Sequence, residues 1–156
     1  MVKLKAFTLI ELIVVIAIIG VLAAILVPSM IGYVGDSKYS TANANAKLAY
    51  STAAQWSTRC EVEGNTVLDG SFTVNDLTIP ASAEEVSYVG SDMNDLAKEL
   101  CRQMGGKAGS GMTCGYFYGQ MPKWCQWRKT TSDRYVGSYP MESTMATPAT
   151  WGVELT

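Results

Sequence analysis

From Phe7 to Val27 the chain reads FTLIELIVVIAIIGVLAAILV, 21 residues interrupted by one charge, Glu11. The next charge is Asp36. The run is apolar on every face, unlike the single apolar stripe of a surface helix. As a helix it spans about 31 Å, roughly one bilayer core. After Gly35 the period changes. Tyr39, Ala42, Ala46, Ala49, Ala53 and Trp56 recur at spacings of three and four, while Lys38, Asn45, Lys47 and Gln55 fall elsewhere on the wheel. Such a stripe of small residues closed by aromatics lets a sheet approach closely. The pattern predicts one helix from about Phe7 to Thr58, roughly 75 Å at the standard rise, whose distal half must be covered by protein. Pro28 removes the bond to the Ala24 carbonyl, and Gly32 and Gly35 follow. A kink or hinge is expected around Pro28 and Gly32.

The residues from Arg59 on read as a small head. Ser71–Ile79 alternates well enough for a strand. Ser91–Met104 reads as a second helix, with Ser91 as cap, Asp92 and Asp95 near its start, and Gly105-Gly106 at its end. MTCGYFYG and KWCQWRK, joined through Gln120-Met121-Pro122, predict a hairpin, and DRYVGSY and TWGVEL are further strand candidates. The expected fold class is α+β. A long N-terminal helix, transmembrane in its first half, packs on a small antiparallel sheet with a second short helix. The expected divisions are 1–6, 7–34, 35–58 and 59–156.

Composition narrows the chemistry. There are 12 Lys and Arg against 14 Asp and Glu, a net charge of −2, which argues against a general polyanion binder. There is no histidine, which excludes His-based triads, Cys–His nucleophile pairs and HExxH zinc sites. Glu84-Glu85, Asp92 and Asp95 fit acidic loops and helix starts. GGKAGSG (Gly105–Gly111) follows a helix rather than a strand, and reads as a loop rather than a phosphate cradle. No catalytic residue, metal or cofactor is expected.

Cys60, Cys101, Cys114 and Cys125 all fall in the head. An even count in an external domain reads as two disulfides, and the spacing lacks the CxxC of an all-cysteine zinc site. Of the three connectivities we prefer Cys114–Cys125 across the hairpin and Cys60–Cys101 pinning the second helix. Tyr116, Phe117, Tyr118, Trp124 and Trp127 fall close together, with Lys123, Arg128, Lys129 and Arg134 nearby. They read either as core and subunit contacts or as a ligand face of Trp124, Trp127, Arg128 and Lys129 for a glycan or single-stranded DNA.

Glu11 stands out, because a carboxylate in hydrocarbon costs on the order of 2.5–3.5 kcal/mol. A secretory signal gains nothing from that cost, and the apolar run exceeds a usual signal core. Either Glu11 lies near the interface, or it has a partner. A chain cut after Ala6 would carry a new α-amine on Phe7, at i−4 from Glu11. Neighbouring copies could then pair amine with carboxylate.

The stretch KLKA followed by FTLIELIVVIAIIGVLAAILVPSMIGYV resembles the N-terminus of type IV pilins and of the pseudopilins of type II secretion systems. The resemblance covers about the first 35 residues and rests on the short basic leader, Ala6 before Phe7, Glu11, Gly20 and Pro28. It departs from the family at Ala6, where glycine is usual. It implies cleavage between Ala6 and Phe7 by a membrane prepilin peptidase, and N-methylation of Phe7. It further implies assembly through Phe7 and Glu11 into a helical filament of copies of the chain, served by pilus assembly machinery. Lys3 and Lys5 put the leader on the cytoplasmic side of the lipid bilayer and the head outside. The expected function is a structural subunit of a pilus-like filament in the bacterial membrane and extracellular pilus. The alternatives are a minor pilin or pseudopilin, or an adhesive module using this anchor.

Overall fold

The computed structural model describes residues 7–75, 77, 86–88, 94–104 and 111–156. The chain divides into two compact units, one ending at Gly35 and one starting at Asp36. Helix α1 (Leu9–Val62) contributes to both, with Pro28 inside it. The helix continues through Pro28, and Ser29 Oγ donates to the Leu26 carbonyl at 2.9 Å. In the first unit the apolar residues of α1 are exposed. In the second, Tyr39, Ala42, Ala46, Ala49, Ala53 and Trp56 are buried, as their spacing predicts.

That buried stripe packs in the second unit with five antiparallel strands: β1 (Gly70–Val74), β2 (Val86–Tyr88), β3 (Met112–Tyr118), β4 (Met121–Arg128) and β5 (Gly137–Tyr139). Their order is β2-β1-β3-β4-β5. The fold is α+β. In β1, buried Phe72 and Val74 alternate with Ser71 and Thr73, the pattern of a half-buried strand. Between α1 and β5 the approach is so close that a methyl group on Gly137 would run into the Ala42 backbone. Aromatic rings fill the core, with Phe117 at 5.9 Å from Trp56 and 5.5 Å from Phe72.

Helix α2 (Asn94–Met104) buries Leu96, Ala97, Leu100 and Cys101, one face of an amphipathic helix. Exposed Lys98 pairs with Asp95, and exposed Arg102 reaches the mostly buried Glu99. The expected cap Ser91, Asp92, Glu84-Glu85 and the Gly105-Gly106 stop lie outside the described residues, as does most of the Gly105–Gly111 loop.

Four sequence expectations are corrected. The β3–β4 turn is Gly119-Gln120, both at positive φ (58° and 67°), and Met121 and Pro122 already belong to β4. β2 has no counterpart in the sequence reading. TWGVEL is not a strand. Gln126 holds that segment instead, donating from Nε2 to the Thr150 and Val153 carbonyls (3.0 and 2.6 Å) and accepting the Gly152 N–H on Oε1 (2.7 Å). Finally, no two of the four cysteines stand at disulfide-bonding distance. For Cys114 and Cys125 the register explains why. Cys114 faces Gln126 and Gly115 faces Cys125, so the two thiols point to opposite sides of the sheet. Cys101 lies in the main core cluster, and half-buried Cys60 packs against it.

Candidate assembly site in the amino-terminal helix

The start of α1 is built from Thr8 and Glu11. Thr8 precedes the first helical residue, and Glu11 lies three residues on. Glu11 N–H donates to Thr8 Oγ1 (3.3 Å), while Thr8 N–H and its hydroxyl donate to Glu11 Oε2 (2.9 and 2.7 Å). This reciprocal arrangement satisfies donors that a helix start leaves orphaned. The sequence carries its signature, a Thr three residues before a Glu, a local role for Glu11 beside the interfacial position and the partner amine weighed for it. Both Thr8 bonds end on Oε2, so Oε1 remains to accept from another group.

Phe7 stands beside this cap, 83% exposed. Ala6 and the basic leader lie outside the described residues. Leu9 onward forms a helix long and apolar enough to cross a membrane, and none of its most apolar window is buried within the chain. At Gly20 and Gly32 an added methyl would meet nothing within 4 Å. The packing within this chain does not require glycine at either position.

Among its described residues the head offers no comparable arrangement. Trp124 and Trp127 are each only 8% exposed, so their rings present little surface to a base or sugar. Arg128 stacks on Trp151, its guanidinium carbon 4.2 Å from the ring centroid, and Lys129 is exposed. Burial pushes the Cys114 thiol up to about 12, with small opposing help from the Gly152 backbone and Arg128. Burial raises Cys125 well above its ordinary range, and nearby Cys114 adds to this. Neither thiol is a nucleophile at neutral pH. Among the described residues no group of three or more Cys, Asp or Glu is placed to hold a metal ion.

Residues 1–27 match a family described as "Prokaryotic N-terminal methylation motif". That match covers the amino-terminal segment alone. A type IV major pilin protein, PilA of Myxococcus xanthus (strain DK1622), is 52% identical over 46 residues. That match covers 30% of this chain and 21% of the Myxococcus protein, so the chain spans about a fifth of its relative's length. No solved structure matches the chain. Within the matched segment Phe7 and Glu11 are described residues, and Pro28 and Gly32 follow it inside α1.

Proposed function

We propose that the chain is the subunit of a type IV pilus-like filament, cut between Ala6 and Phe7, methylated on the Phe7 amine and polymerised through α1. Before assembly it is stored in the membrane, with its N-terminus cytoplasmic and its head external. The observation that carries this reading is the exposure of the whole apolar window of α1 beside one capped carboxylate. Such a surface needs lipid or other helices around it. Open sites at Gly20 and Gly32 favour helices as neighbours, because small residues permit close approach. Glu11 keeps Oε1 available, so a neighbour's Phe7 amine can bind without dismantling the Thr8 cap. Inside an apolar bundle that pairing fixes axial register, since a displaced subunit would leave both charges unpaired.

The test is mass spectrometry of the membrane fraction and of filaments sheared from cells. Mature protein beginning at methylated Phe7 in both fractions is the expected result. Protein with its leader intact in filaments, or cut near Ala24, overturns the proposal.

A further inference from the structure

A cleft of about 410 Å³ opens in the second unit between one face of α1 and the segment after β5. Asp36, Asn43 and Lys47 line it from the helix, Glu142 and Ser143 from the other side. Ser143 is 1% exposed, and its hydroxyl has no hydrogen-bond partner among the described residues. The Asn43 amide is already committed to the Ser138 and Ser143 backbone groups. Asp36 and Glu142 are exposed carboxylates. The ion pairs among the described residues are Lys98–Asp95, Arg102–Glu99 and Lys123–Glu154, and include neither. Lys47 also stands outside those pairs, its Nζ 5.7 Å from the Tyr139 ring centroid. Two carboxylates against one ammonium leave the cleft negative, and a buried hydroxyl in its lining is unused. That combination suits a cation that brings several donors.

The head carries such a cation at the far end of the same helix. Arg59, in the last turn of α1, is exposed and in no ion pair among the described residues, although Glu61 and Glu63 follow it closely. The other described cations of the head, Lys129 excepted, are in ion pairs or lie over aromatic rings. Arg59 comes 16 residues after Asn43 and 23 after Asp36, about 24–35 Å along the helix. It cannot reach the cleft of its own chain. A second copy displaced along α1 by that distance brings its Arg59 there.

We infer that Arg59 of one copy enters the cleft of the next and pairs with Asp36 and Glu142. A guanidinium offers five N–H donors in a planar fork, enough for both carboxylates and the Ser143 hydroxyl. The two surfaces differ and lie at opposite ends of one helical segment, so the contact is head-to-tail. Each copy that gives its Arg59 still offers a cleft, and a shift along the helix does not close into a ring. The inference rests on the filament reading proposed above and adds a contact in the head to the association through α1.

The experiment uses the full chain in cells, comparing sheared filaments with the membrane fraction. Arg59→Gln should lower filament yield about tenfold at normal membrane levels, and Asp36→Asn with Glu142→Gln should do the same. Lys129→Gln should leave the yield unchanged. Arg59→Lys keeps the charge and should still assemble. Carbodiimide, which joins amines to touching carboxylates, should then link position 59 to Asp36 or Glu142 in those filaments. The helical spacing excludes that link within one chain, and the readout does not depend on a variant that loses its fold. Normal filaments from Arg59→Gln, or carbodiimide products without that link, overturn the contact alone. A link from position 59 to a different protein overturns the second copy as occupant. Wild-type cells without filaments of the mature chain overturn the filament reading and the contact with it.

Discussion

Asn43 on α1 holds Ser143, 100 residues further on, through both backbone groups. Its Nδ2 donates to the Ser143 carbonyl at 2.8 Å, and its Oδ1 accepts the Ser143 N–H at 3.1 Å. The same Oδ1 accepts the Ser138 N–H at 3.1 Å, so one buried amide ties the end of the sheet and the segment after it to the helix. Removing it leaves three buried backbone groups unpaired, each worth about 1–3 kcal/mol. Asn43→Ala should destabilise the head by about 3 kcal/mol in urea unfolding. Chymotrypsin should then cut faster at Trp151. Unchanged cutting would mean the segment is held elsewhere.

Gly137→Ala should be damaging for a different reason. The methyl meets the Ala42 backbone, which cannot rotate away as a side chain can. A loss of about 1–3 kcal/mol is expected, read as a lower Tm. Gly20→Ala is the control, because nothing lies within 4 Å of its methyl. It should leave the head's Tm unchanged.

The thiols give a pH dependence of known sign. In the unfolded chain they titrate near the ordinary 9.0, whereas Cys114 in the folded head is pushed up to about 12. The folded state thus holds protons that the unfolded state releases, and stability falls as pH rises between these values. Tyr50, also raised by burial, acts in the same direction. Below pH 9 the contribution is constant. Iodoacetamide at pH 8 should spare Cys114 and Cys125 in the native protein and label both in urea. Non-reducing peptide maps should contain no Cys114–Cys125 link. Finding that link would contradict the strand register.

Glu11→Gln and Glu11→Val separate the cap from the charge. Gln keeps an acceptor for Thr8 and so keeps the helix start. Val removes both functions. If the carboxylate meets a neighbour's amine, both variants should reach the membrane at normal levels and yield few sheared filaments. Normal filaments from Glu11→Gln would show that capping, not charge, is what assembly requires.

The elements legible in sequence were those with a strong local period. The small-residue stripe from Tyr39 to Trp56 was buried as spaced, alternation found β1, and the hairpin reading found β3 and β4. What escaped depended on partners far along the chain. β2 is three residues long and exists through pairing with β1. Asn43 looked like one polar residue among several on a helix, and nothing local marks it as the tether of Ser143. TWGVEL alternates like a strand, but Gln126 satisfies its backbone groups from the side, so no ladder is needed. The disulfide reading failed by one residue of register. Hairpin proximity in sequence does not reveal which face each thiol occupies. At the start of α1 the order was reversed, since the Thr8–Glu11 cap was visible in the sequence while the charge of Glu11 drew the attention.

The two outer strands, β2 and β5, are each three residues long, and Pro140 follows β5 directly. An edge so brief offers another chain little template for sheet growth. On the proposed reading, association between copies runs through the helix, where it can be ordered and reversed, and the short sheet edges withhold it where it would be permanent.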